Sequence, residues 1–302
     1  MTSEQILTFK ESFPEAQEGV LLKNQTSIKI GGPATLLIEV SKKDDLEKVL
    51  EYCLKNGLKY FILGWGRNVV FSDTGFDGVV IRPVFKSITL QEDNQLVAET
   101  GVTLSEIIAF AHRHKLTGME NLAGIPSSLG GAIFGNAGAF GSTMCDFVTE
   151  VEVLEVKDKS IQDQVLSNKD FCFGYRDSKA KTEAKQIILA ATLKLKKGDL
   201  KEAKERMKEV LLHRKESHPL DLPNAGCVFK NPEGESAGKL IEEAGLKGTQ
   251  IGGLQVSEKH GNFIVNTGAG SFDDYKKLTS RIKTKVQEIY GVELEEENIV
   301  VE

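Results

Sequence analysis

With 302 residues, 27% charged and 40% apolar, the chain has the size and composition of a soluble protein with two or three subdomains. A net charge of −6 argues against a nucleic-acid partner, which would need clustered Lys and Arg. No apolar run approaches the roughly 18 residues of a membrane span, and MTSEQILTFKESF lacks the basic and apolar regions of a secretory signal. A cytoplasmic protein without membrane insertion is expected.

Four cysteines (Cys53, Cys145, Cys172, Cys227) are far apart and without CxxC spacing, as reduced thiols would be. No metal site is expected, because HExxH is missing and His112 and His114 would point to different helix faces. Basic residues cluster at 194–215, but Asp199, Glu202, Glu205 and Glu209 alternate with them, as on a solvated helix face.

In chain order, residues 34–40 (ATLLIEV) predict a strand. Ser41 and Asp44 predict a capping box for a helix to about Asn56, with Gly57 as its stop. Short strands follow at 59–63 and 68–72 around a loop from Gly64 to Arg67, then near 78–82, 86–91 and 95–100. Thr103 and Glu106 predict a second capped helix ending near Gly118. Residues 147–156 and 186–195 are β-rich and flank a polar loop. Asp199 and Glu202 open a helix whose stripe is Leu200, Ala203, Met207, Val210 and Leu211, continued by Arg214. Beyond the turn-rich HPLDLPNAG come a strand at Cys227–Phe229, a helix after Ser236, strands near 254–258 and 263–266, and a helix capped by Ser271 and Asp274. The change of character near 198 marks a domain boundary.

Residues 124–141, GIPSSLGGAIFGNAGAFG, hold Gly124, Gly130, Gly131, Gly135, Gly138 and Gly141, with Asn136 the one amide side chain. A glycine in a regular element costs roughly 0.5–1 kcal/mol relative to alanine. Such a run therefore implies either a tightly packed turn cluster or a backbone that something approaches closely, as peptide N–H groups approach a pyrophosphate.

Four separated segments decide between these readings: IKIGGPA (28–34), LGWGRNVVFSD (63–73), the glycine segment, and AGCVFKNPEGESAGKLIEEAGLKGTQIGGLQVSEKHGNFIVN (225–266). Together and in this order they resemble the UDP-N-acetylenolpyruvoylglucosamine reductases, flavoenzymes of cell-wall precursor synthesis, over about the whole chain. The resemblance implies an α+β fold: a two-subdomain FAD-binding unit of the vanillyl-alcohol-oxidase type (1–83 and 84–198) and a C-terminal α/β substrate-binding domain (199–302). The short connection from Tyr175 to Gln186 places the chain in the branch without a long inserted loop.

For noncovalent FAD, the resemblance implies Gly64, Gly66, Asn68 and Ser72 at the pyrophosphate. Gly124, Ile125, Pro126, Gly130, Gly131, Asn136, Ala137 and Gly138 would line the rest. Trp65 and Arg67 stand where the family commonly has Gly and Ser, and Ser127 replaces a common Gly. Arg67 has two readings, a direct contact to a phosphate oxygen or a pair with Asp73.

The implied reaction adds hydride to the terminal carbon of an enolpyruvyl group and builds negative charge on its carboxylate. NADPH is the implied reductant and a UDP-linked enolpyruvyl sugar the substrate. The implied catalytic residues are Arg176, Cys227 and Glu297. Arginine can fork onto both carboxylate oxygens, which lysine cannot. Cys227 takes the place of a common Ser; a free thiol, with a pKa of about 8.5, is mainly protonated near neutrality and suits a general acid. Glu297, in a run where a slip of one or two residues is open, must be protonated to donate a hydrogen bond. Lys230, Asn231, Arg214 and Gln255 are implied for the sugar nucleotide. Two rivals remain at this point: an FAD oxidase or dehydrogenase of the same fold on another substrate, and a catalytically silent flavin or sugar-nucleotide binder.

Overall fold

The computed structural model describes residues 1–157 and 160–302. The chain forms two compact units, one of residues 1–16, 38–64 and 79–213, the other of 17–37, 65–78 and 214–302.

The first unit is built on a five-stranded antiparallel sheet. Its strands, in spatial order, are Ser160–Ser167, Val148–Lys157, Gln186–Lys194, Gln95–Glu99 and Ile88–Leu90. Gln186–Lys194 is central and buried along nearly its whole length, hence its continuous run of apolar residues. Helix α1 (Ser3–Ser12) starts in a capping box of Thr2 and Gln5. Helix α2 (Lys43–Lys55) contributes Tyr52, whose ring meets Phe9 edge-on at 5.3 Å. Helices α3 (Leu104–Arg113), α4 (Leu129–Phe134) and α5 (Lys179–Glu183) follow, and α6 (Leu200–Ser217) closes the segment. Ile107 of α3 and Leu129 and Ile133 of α4 share one core with Val151, Val153 and Leu193 of the sheet.

The second unit holds a four-stranded antiparallel sheet ordered Asn224–Cys227, Phe263–Asn266, Leu254–Val256 and Gln250–Ile251. Helices α7 (Ala237–Glu243) and α8 (Phe272–Tyr290) complete it. Ile28, Ile30 and Val70 belong to this core beside Phe229, Leu254 and Tyr275. The last strand, Ile299–Val301, pairs in parallel with Val69–Phe71. Strands Pro33–Val40 and Phe76–Pro83 run on from one unit into the other.

Several expectations need correction. Helix α2 begins after Lys42 with no side-chain cap, so Ser41 and Asp44 form no capping box; Asp44 and Asp45 instead supply first-turn charge. The box at Thr103 and Glu106 does form, but α3 ends at Arg113 because Lys115 takes left-handed geometry (φ 60) and Leu116–Thr117 leave as a strand beside Lys196–Lys197. The expected polar loop between 156 and 186 contains the edge strand Ser160–Ser167; its residues 158–159 lie outside the described ones. The strand expected at 227–229 is Asn224–Cys227, with Val228 and Phe229 buried just beyond it. On α6 only Ala203 and Val210 are fully buried, and Leu211 is exposed.

One pH effect follows from the second unit. Burial, then the Lys247 ammonium, holds the His260 imidazole below its ordinary value. The Asn262 amide also donates to His260 Nδ1 at 3.1 Å, a bond that a proton on that nitrogen would remove. The unfolded chain therefore takes up this proton first, so stability falls as pH drops below about 6.5 towards the lowered folded value. Denaturant titrations at pH 7.5 and 5.0 are expected to show a smaller acid loss in His260→Gln than in the unmodified chain.

Candidate active site

The glycine segment has a mixed physical origin. A Cβ on Gly66, at φ +60, would stand 2.1 Å from the Gln25 carbonyl, and one on Gly130 would stand 2.0 Å from Thr100 Oγ1. Those two glycines are required by packing inside the protein. Gly64 differs: its Cβ would stand 3.2 Å from Ser128 Oγ, the atom that accepts from the Gly131 amide at 3.3 Å. The loop at Gly64 and the start of α4 are thus neighbours in the first unit, and a side chain would narrow the space there. Gly124 and Gly131 are exposed, Pro126 is exposed, and Ile125, Ala137 and Gly138 are half-buried.

In the second unit, Arg67 is exposed and makes no ion pair among the described residues. Asp73, its alternative partner, accepts from the Phe272 amide at 2.7 Å and so closes the start of α8. An exposed guanidinium of this kind has the chemistry to pair with a phosphate oxygen. The buried Ser72 hydroxyl bonds Thr74 Oγ1 at 2.9 Å within its own turn.

Arg176 lies in the first unit on a tight turn with φ +53, an unusual backbone for a residue with a side chain. Three bonds fasten this turn to the glycine segment. Asn136 Nδ2 donates to the Gly174 carbonyl at 2.8 Å, Arg176 Nη2 to the Gly138 carbonyl at 3.0 Å, and Ser178 Oγ to the Phe134 carbonyl at 2.7 Å. Lys181 Nζ also donates to the Arg176 carbonyl at 2.9 Å. The buried Asn136, itself at φ 40, accepts from the Cys145 amide at 3.1 Å. Its side chain therefore ties these loops together.

The segments carrying Cys227 and Glu297 pair through their backbone in the second unit. The Glu297 amide donates to the Val228 carbonyl at 2.7 Å, and Phe229 bridges Glu296 in the antiparallel sense. None of the four cysteines is in a disulfide; Cys227 is half-buried. Asn68 is engaged through its side chain, its Nδ2 donating to the Glu297 carbonyl at 3.0 Å. Within the acidic run, Glu295 pairs with Lys230 at 2.6 Å and Glu296 with Lys283 at 2.5 Å.

The nucleotide candidates are placed variously. Lys230 shares its charge with Glu295, Asn231 Oδ1 accepts from the Ala237 amide at 3.0 Å at the start of α7, and Gln255 Nε2 donates to the Gly248 carbonyl at 3.1 Å. Arg214 is half-buried near the end of α6. Sequence reasoning missed Asn298, Tyr275, Ser178 and Lys181. Only Asn298 carried a signal, as a lone amide between an acidic run and an apolar one. Among the described residues no group of three or more His, Cys, Asp or Glu is placed to hold a metal ion, and no helix is long and apolar enough to cross a membrane.

These features are those of an FAD-binding protein, and residues 34–162 match the FAD binding domain family. Residues 218–301 match the C-terminal domain of UDP-N-acetylenolpyruvoylglucosamine reductase. The reductase of that name from Caldanaerobacter subterraneus subsp. tengcongensis is 45% identical over 273 residues, covering 90% of this chain and 89% of the relative. The one from Geotalea uraniireducens is 41% identical over 281 residues, covering 93% and 92%. The crystal structure of UDP-N-acetylenolpyruvylglucosamine reductase from Thermus caldophilus matches with a TM-score of 0.79 at 36% identity, over 94% of this chain and 98% of that one. The chain belongs to the UDP-N-acetylenolpyruvoylglucosamine reductase family.

Proposed function

We propose that this chain reduces UDP-N-acetylglucosamine enolpyruvate to UDP-N-acetylmuramate with NADPH and noncovalent FAD, in peptidoglycan precursor synthesis in the cytoplasm. The observation that carries the reading is that the segments of Cys227, which is in no disulfide, and Glu297 are fastened together, Glu297 N to Val228 O at 2.7 Å, in a chain of this family.

Gly64 and residues 124–138 in the first unit, and Gly66 and Arg67 in the second, are the residues that would hold FAD, which would supply the hydride when bound. Arg176 forks onto the substrate carboxylate and stabilises the charge that grows there as the terminal carbon accepts hydride. The Glu297 carboxyl supports that anion with a hydrogen bond. The Cys227 thiol gives its proton to the α-carbon, so the carbanion is quenched and the thiolate regains a proton from water. Lys230, Asn231, Arg214 and Gln255 bind the sugar nucleotide, Lys230 by exchanging Glu295 for phosphate. By ligand, the proposed division is 1–83 and 84–198 for FAD and 199–302 for the sugar nucleotide.

The test is an anaerobic spectrum of the FAD-loaded protein, taken after NADPH and again after the enolpyruvyl sugar nucleotide. Bleaching and then recovery is the expected result. Bleaching without recovery rejects the substrate, and a protein that retains no flavin rejects the reading altogether.

A further inference from the structure

The second unit contains a buried amide that the proposed chemistry does not use. Asn298 is 6% exposed and Tyr275 is fully buried. Tyr275 Oη donates to Asn298 Oδ1 at 2.9 Å. Asn298 Nδ2 then faces three acceptors: Asn68 Oδ1 at 2.6 Å, the Ala225 carbonyl at 2.9 Å and the Cys227 carbonyl at 3.1 Å. An amide NH2 carries two hydrogens, so one of them is shared. The Asn68 side chain, oriented by that contact, donates from Nδ2 to the Glu297 carbonyl at 3.0 Å, while its backbone carbonyl accepts from the Ile299 amide at 2.8 Å.

One relay therefore grips the peptide of Cys227 on one side and that of Glu297 on the other. Its chemistry is specific to a carboxamide. An aspartate would turn an oxygen towards three oxygens, and a leucine would leave those acceptors and a buried phenol without their bonds. A purely structural clip would need only to join these two segments, which the backbone already does through Glu297 N to Val228 O at 2.7 Å, Lys230 N to Glu295 O at 2.8 Å and the bridge between Phe229 and Glu296.

We propose that Asn298 is a positioning residue for the reduction, with Tyr275 and Asn68 as its outer members: it sets the Cys227 thiol against the Glu297 carboxyl. The inference rests on the roles proposed for those two residues. A misplacement of about 1 Å at reacting atoms can cost about 10²-fold in rate. The relay should therefore act on proton delivery and leave the NADPH step alone.

The experiment compares the FAD-loaded full chain with Asn298→Leu and Tyr275→Phe. Rapid mixing reads flavin reduction by NADPH and flavin reoxidation by the enolpyruvyl sugar nucleotide separately. Iodoacetamide labelling of Cys227, mapped by mass spectrometry across pH 6–10 on about the range in which thiols titrate, reads the thiol without turnover. Asn298→Leu is expected to slow reoxidation by about 30–100-fold, with NADPH reduction within about twofold and a displaced pH midpoint for Cys227 labelling. Tyr275→Phe is expected to show the same split at about 3–10-fold, and decides the matter if Asn298→Leu does not fold. Equal losses in both steps, no loss in either, or an unmoved labelling profile would overturn the proposal. An unmodified protein that the sugar nucleotide cannot reoxidise would instead reject the function, while the labelling profiles would still test the relay.

Discussion

Cys227→Ala is expected to stay yellow and to bleach with NADPH, yet to slow reoxidation by the enolpyruvyl sugar nucleotide by about 10²–10⁴-fold. The loss falls on one step because alanine removes the proton source and leaves the hydride donor and the carboxylate clamp in place. Stopped-flow absorbance checks it, and reoxidation at the unmodified rate would remove Cys227 from the chemistry. Cys227→Ser should recover much of the rate and lose the peroxide sensitivity that a thiol confers. The other thiols make useful controls. Cys53 is fully buried and pushed up to about 12 by desolvation, so it should resist labelling, whereas Cys172 is exposed and should react first.

The second large effect concerns Arg176. Arg176→Lys is expected to lower kcat by about 10²–10³-fold, the usual loss when a donor to a developing anion is removed. Lysine keeps the charge but cannot hold the Gly138 carbonyl while presenting a planar fork. Steady-state kinetics with both substrates saturating measures this, and a loss confined to KM would show that the arginine only binds. The turn itself should survive, since Asn136, Ser178 and Lys181 hold it through other atoms.

The sequence was most readable where one local force dominates. The boxes at Thr103 and Ser271 and the cap at Ser236 were legible because a cap depends on residues three apart. The buried strand Gln186–Lys194 announced itself by its apolar run. The edge strand Ser160–Ser167 did not: SIQDQVLS is polar, and its pairing with Val148–Lys157 supplies what composition lacks. Within the site, the glycines were visible but their reasons were not. Gly66 and Gly130 answer to Gln25 and Thr100, far away in sequence, while Gly64 borders Ser128. Asn68 was picked out for its backbone amide, and the structure adds a side chain bound to Glu297 and Asn298. No local pattern reveals a partner 230 residues away.

That separation bears on how the chain is born. Residues 17–37 and 65–78 leave the ribosome early, but the core they join is made from 214–302. Ile28, Ile30 and Val70 therefore wait, with their apolar side chains unsheltered, through the synthesis of more than half the protein. At roughly 5–20 residues per second that interval lasts on the order of ten seconds or more. Nascent chains halted before residue 214 should accordingly recruit chaperones through these segments, and release from them should coincide with translation of the final strand.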